Sequence, residues 1–117
     1  MKTHRSVLIV DDNKLAAGLL CEFLEISGHS VRVAYSGAMA LEIAQADVHD
    51  AFIVDIMLPD MNGYVLAAAL REANPRARVI ALSGLPSNLA RDGQGLFDAW
   101  MEKPVKLDVL ERLLMAS

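Results

Sequence analysis

Two short apolar runs, Val7-Leu8-Ile9-Val10 and Ala51-Phe52-Ile53-Val54, stop abruptly at aspartate, the first at Asp11-Asp12 and the second at Asp55. A strand that is apolar at successive positions must bury both faces, the habit of parallel strands covered by helices on either side. Arg78-Val79-Ile80-Ala81-Leu82 repeats the pattern and closes at Ser83-Gly84, and Ala99-Trp100-Met101 is a shorter version before Lys103-Pro104. Ser30–Tyr35 differs: Val31, Val33 and Tyr35 alternate with Arg32 and Ala34, as in a strand exposed on one side.

Amphipathic stretches separate these runs. Lys14–Ile26 predicts a helix with Leu15, Leu19, Leu20, Phe23 and Leu24 on its inner face, stopped by Ser27-Gly28-His29. Ser36 is placed to cap a short helix over Gly37–Ala46. A loop with Pro59 and Asn62-Gly63 precedes a helix over Tyr64–Ala73, which ends before Asn74-Pro75. Between Pro86 and Gly95 only a short helix, Asn88–Arg91, is expected, and Leu107–Met115 is an amphipathic closing helix. Five strands alternating with five helices predict a doubly wound α/β sheet, a single domain over residues 1–117. In such a sheet ligands bind beyond the carboxyl ends of the strands.

Composition removes several classes of function. The longest apolar stretches, Tyr64–Leu70 and Leu15–Cys21, are seven residues each, against the ~20 that a spanning helix needs. No signal peptide is legible, and a cytoplasmic protein without membrane contact is expected. The formal charge of −4 with no basic block argues against direct nucleic-acid binding. Cys21 is the one cysteine, which excludes an internal disulfide and a cysteine-based zinc site. His4, His29 and His49 show no ligand spacing, and Asp47, Asp50 and Asp60 are expected to be solvated loop residues.

The polar residues of interest all follow strands: Asp11 and Asp12, Asp55, Ser83 and Lys103. A parallel sheet brings such positions to one edge. Three carboxylates gathered there repel one another, since two unit charges at 4 Å cost roughly 4 kcal/mol at an effective dielectric of 20. The cluster therefore wants a hard cation such as Mg²⁺, and without one a carboxylate pKa raised by like-charge repulsion is expected. Singly, each residue has a plainer reading, Asp11 or Asp12 as a helix cap, Ser83 as a turn residue, Lys103 as a solvated lysine and Trp100 as core. It is the ordered set that carries weight.

Val10-Asp11-Asp12, Asp55 with Met57 and Pro59, Gly63, Ser83-Gly84 and Lys103-Pro104 together resemble the receiver domain of two-component response regulators. The resemblance covers nearly the whole chain, one motif per strand end. It implies a CheY-like, flavodoxin-like (βα)5 fold with strand order 2-1-3-4-5. It also implies that Asp55 is the phosphoacceptor, taking a phosphoryl group from a phosphohistidine of a sensor histidine kinase or histidine phosphotransferase. Mg²⁺ would be held by Asp11, Asp12, Asp55 and the Met57 carbonyl. Lys103 would bind a phosphoryl oxygen, Ser83 and Trp100 would act as the switch, and the Lys103-Pro104 peptide would be cis.

Such a protein is a signalling phosphoacceptor and not an enzyme in the ordinary sense. Its alternative is a degenerate receiver that serves as a phosphorylation-independent binding module. A phosphohydrolase with an aspartyl nucleophile resembles a pattern of Asp, any residue, Asp, which Asn13 breaks. A nucleotide site lacks its Gly-rich loop. The chain stops a few residues past Leu114, so it reads as a free-standing receiver or as a module of a longer protein. The downstream partner and any homodimer through the last helices stay open at this point.

Overall fold

The structure is a computed structural model that describes residues 5–84 and 95–115. Strands β1 (Ser6–Val10), β2 (Ser30–Ala34), β3 (Ala51–Asp55), β4 (Arg78–Ser83) and β5 (Ala99–Glu102) form one sheet in the order β2-β1-β3-β4-β5. Every neighbouring pair is parallel. Helices α1 (Lys14–Ile26), α2 (Gly37–Ala46), α3 (Gly63–Ala73) and α4 (Leu107–Met115) cover it. The expected helix at Asn88–Arg91 and residue His4 lie outside the described residues.

Successive residues of β1 feed opposite cores. Leu8 and Val10 join Phe52 and Val54 of β3 beneath α2 and α3, where Ala40, Ala44, Leu66 and Leu70 meet them. Val7 and Ile9 join Ala51 and Ile53 beneath α1 and α4, against Leu20, Leu24, Leu110 and Leu114. That is why these strands show no polar alternation: each face is an interior. Burying one such side chain contributes about 1.5–3 kcal/mol.

Helix α1 has the expected ends, but not the expected face. It buries Ala17, Leu20 and Leu24, while Leu15 is 75% and Leu19 60% exposed. At 3.6 residues per turn, Leu15 and Leu24 stand about 180° apart, so one sheet cannot cover both. The alternation expected in β2 also breaks. The strand ends at Ala34, which is buried, and Tyr35 lies beyond it with its ring under the Lys14 ammonium, 5.4 Å from Nζ to centroid.

The end of the sheet opposite the aspartates is closed by buried polar groups. His29 accepts the Arg5 N–H at Nδ1 (2.8 Å) and donates from Nε2 to the Glu111 carboxylate (2.7 Å), tying α4 to the start of β2. Asp50, expected to be solvated, accepts the Ser6 N–H at 2.8 Å. Asp47 pairs with Arg32 on the surface. Asn74 caps α3 and bridges to α2, accepting the His49 N–H and donating to the Ala44 carbonyl. His49 is buried against Phe52, with Nδ1 donating to the Asp47 carbonyl.

Burial pushes the His49 imidazole below its ordinary value of 6.5, and Arg32 adds to this; the Asp47 carbonyl and the Asp47 and Asp50 carboxylates oppose it. A depressed folded pKa means a stability contribution that is full above pH 6.5 and is lost as pH falls through the folded value. Denaturation free energy measured from about pH 7 to pH 5 is expected to fall more steeply in the native chain than in His49→Gln. Parallel slopes would assign the loss to another group.

Candidate functional site

The strands on either side of the switch point, β1 and β3, deliver the acidic groups. Asp11 leaves β1 with its N–H bonded to the Ala34 carbonyl at 3.1 Å. Its Oδ1 accepts the Asn13 N–H at 2.9 Å, and Asn13 in turn caps α1 by accepting the Ala16 N–H. This turn faces Asp11 inward, 1% exposed, and leaves Asp12 in solvent. Asp55 ends β3 at 5% exposed, its Oδ1 accepting the Met57 N–H at 2.9 Å. One carboxylate oxygen from each of Asp11, Asp12 and Asp55 lies within 4.8 Å of the others.

The cation comes from the far edge of the sheet. The Lys103 N–H donates to the Ser83 carbonyl at 2.8 Å, which holds the end of β5 beside the end of β4. The peptide from Lys103 to Pro104 is cis. From there Nζ reaches back to donate to Asp55 Oδ2 at 2.8 Å and stands 3.7 Å from Asp11 Oδ2. Ser83 is buried at the end of β4, next in line along the same edge.

The electrostatics follow from burial as much as from charge. Asp11 is raised above its ordinary value, as expected of one carboxylate, but the expected cause was incomplete. Burial is the largest contribution, the charge of Asp55 adds to it, and the Asn13 N–H and Lys103 oppose it. Burial alone would push the Lys103 ammonium down; its hydrogen bond and charge pairing with Asp55, with Asp11 adding, hold it above its ordinary value. Three carboxylates against one ammonium leave a formal deficit of two positive charges, and an all-oxygen set of this kind matches a hard divalent cation.

Other named residues stand nearby in different roles. The Met57 side chain is exposed, and its backbone pairs with Asn62 across a tight loop. Trp100 packs in an aromatic cluster with Phe97 (5.1 Å between centroids) and Tyr64 (6.2 Å). Nothing in the sequence marks Tyr64 or Phe97 as a partner of Trp100, because their meeting is set by the tertiary fold. A cavity of about 410 Å³ opens beside the acidic cluster, walled by Asp11, Asn13, Leu19, Leu20, Lys103 and Leu107.

A doubly wound parallel sheet with acidic groups at its switch point and a lysine reaching them from the last strand defines the class of the protein. The chain belongs to the response regulator receiver domain family, whose sequence profile matches residues 7–114. It is 32% identical over 110 residues to the autoinducer 1 sensor kinase/phosphatase LuxN of Vibrio campbellii, covering 93% of this chain and 13% of that protein. The chain thus spans about an eighth of that relative's length. A response regulator from Burkholderia pseudomallei, solved with a phosphorylated aspartic acid, calcium ion and citrate, superposes with a TM-score of 0.86 at 30% identity, over 98% of this chain and 68% of that one. The response regulator TrrA of Thermotoga maritima, solved with Mg²⁺ and BeF, gives 0.82 at 25% identity over 95% of each chain. The receiver assignment and the 2-1-3-4-5 sheet are therefore those that the sequence predicts, and the chain is a receiver domain of two-component signalling. No helix among the described residues is long and apolar enough to cross a membrane.

Proposed function

We propose that the chain is a phosphoacceptor, a receiver domain across residues 1–117 in which Asp55 takes a phosphoryl group from the phosphohistidine of a sensor histidine kinase or histidine phosphotransferase. The observation that carries this reading is the Lys103 ammonium hydrogen-bonded to Asp55 in a cluster that still lacks two positive charges. An Asp55 carboxylate oxygen attacks phosphorus in line, a P–O bond forms, the P–N bond to an imidazole protonated on its other ring nitrogen breaks, its electron pair goes to the ring, and neutral histidine leaves.

Asp11, Asp12 and Asp55, with the Met57 carbonyl, would hold Mg²⁺, which when bound offsets charge on the transferring phosphoryl oxygens. Lys103 neutralises one carboxylate before transfer and one phosphoryl oxygen after it. The Ser83 hydroxyl donates to another phosphoryl oxygen, and that displacement is the start of the switch. The signal would reach Trp100, whose ring turns only if the cluster with Phe97 and Tyr64 loosens. The exposed Leu19 and the cavity that it helps to wall, with the exposed Leu15 one turn earlier on α1, supply apolar surface on which the phosphodonor can seat. At most the domain catalyses its own phosphorylation and dephosphorylation.

The test is intact mass after incubation with acetyl phosphate, with and without Mg²⁺, beside Asp55→Asn. One phosphoryl adduct that needs both Mg²⁺ and Asp55 is expected. No adduct in protein shown to bind the metal would sink the reading and leave a protein-binding module.

A further inference from the structure

The loop between β3 and α3 carries Met57, and it is held at both ends and at its tip. At its base the Gly63 N–H donates to the Ile56 carbonyl at 3.0 Å, and Met57 pairs with Asn62. At its tip Asp60, expected to be a solvated loop residue, reaches another element. Its two carboxylate oxygens accept the Gly37 N–H (3.0 Å) and the Ala38 N–H (3.1 Å) at the start of α2. Those are among the amides that a helix leaves without internal partners, and a carboxylate there also meets the positive end of the helix dipole.

Helix α2 already has its own cap, since Ser36 Oγ accepts the Met39 N–H at 3.1 Å. Asp60 is thus a second acceptor, brought from a loop 23 positions away. Beside it the Met61 thioether fills the space over Gly37, where an added Cβ would lie 2.5 Å from both Cγ and Sδ. The contact is a two-part clamp, polar at Asp60 and apolar at Met61.

We infer that Asp60 is a positioning residue for the acceptor site, pinning the Ile56–Asn62 loop to α2 so that the backbone of Met57 is set before a metal arrives. The inference rests on the phosphoacceptor reading, because only there does the loop backbone serve the metal. The bonds from Gly37 and Ala38 also hold the Asp60 carboxyl below its ordinary range although the residue is in solvent.

The test is Mn²⁺ affinity, read from the electron paramagnetic resonance of the free ion, for the native chain, Asp60→Ala, Asp60→Asn, Ser36→Ala and Asp55→Asn. Ser36→Ala weakens the same helix end without touching the loop. About fivefold weaker binding is expected for Asp60→Ala, a smaller loss for Asp60→Asn, which keeps one acceptor, and native affinity for Ser36→Ala. Native affinity in all three would reduce Asp60 to a helix cap and overturn the inference. Equal weakening in Asp60→Ala and Ser36→Ala would overturn it as well, by showing general loosening. A native chain that does not bind Mn²⁺, or binds it no better than Asp55→Asn, would overturn the phosphoacceptor reading itself. If Asp60→Ala does not fold, the comparison of Asp60→Asn with Ser36→Ala decides.

Discussion

Lys103→Met is expected to bind Mg²⁺ more tightly than the native chain and yet to be phosphorylated far more slowly. The two effects have one cause. In the metal-free site the ammonium is the only positive group drawn against Asp11 and Asp55 among the described residues, and it repels any divalent ion that enters. Deleting it should raise Mg²⁺ affinity by about tenfold, the equivalent of ~1.4 kcal/mol, which is modest for a unit charge at this range. On the phosphoacceptor reading, the same deletion removes a charged donor from the phosphoryl oxygens during transfer, which should cost about a hundredfold in rate. The metal-free fold should also suffer. Asp11 and Asp55 stay buried without their partner, and since the lysine side chain is itself 36% exposed the loss is about 1–3 kcal/mol, less than for a fully buried pair. Millimolar Mg²⁺ should restore most of it, because binding to the folded state alone stabilises by mass action. Titration calorimetry, thermal unfolding with and without Mg²⁺, and adduct formation over time check the three parts. Unchanged Mg²⁺ affinity together with a native phosphorylation rate would remove Lys103 from the site.

This site could be read from the sequence only as an ordered set, and the reason is geometrical. Parallel strands turn position along the chain into position along one edge, so Asp11, Asp55 and Ser83 announce themselves by ending an apolar run, and Lys103 by following the last strand directly after Glu102. The runs are legible because burial on both faces leaves a local mark, as Val7–Val10 shows with all four residues fully buried. The face of α1 was not legible in the same way. Leucine occupies both sides of that helix, and nothing local says that Ala17 points inward while Leu15 and Leu19 face solvent. Asp60, Tyr64 and the His29–Glu111 pair were missed for a different reason. Each acquires its role from a partner on another element, Gly37, Trp100 and α4 respectively, and no spacing rule connects residues across a sheet or between a loop and a distant helix. The cause of the Asp11 shift belongs to the same class: proximity of charges follows from topology, but depth of burial does not.

Gly63→Ala is expected to cost about 2–3 kcal/mol of stability, toward the upper end of what overpacking costs at a site that cannot give. A Cβ at this position would lie 2.6 Å from the Ile56 Cα and 2.8 Å from its carbonyl oxygen. Both atoms are backbone, so no rotamer change relieves the overlap. The Gly63 N–H also donates to that carbonyl, and moving apart would break the bond that closes the loop. The same substitution at Gly18, inside α1 with nothing within 4 Å of an added Cβ, should instead stabilise by about 0.5–1 kcal/mol, because alanine is the better helix former. Opposite signs for one chemical change separate steric closure of the loop from helix propensity, since Gly63 also opens a helix. The displacement should reach the site as well. The strain must be taken up by Ile56 or by the start of α3, and Met57 follows Ile56 directly. Under the phosphoacceptor reading, Gly63→Ala should therefore lose Mg²⁺ affinity and adduct yield together, at temperatures where it is still folded. Urea denaturation of Gly63→Ala and Gly18→Ala against the native chain measures the first part. A Gly63→Ala chain as stable as the native one would mean that Ile56 and Gly63 are free to separate, and the tight loop would then contribute nothing to holding Met57 beside Asp55.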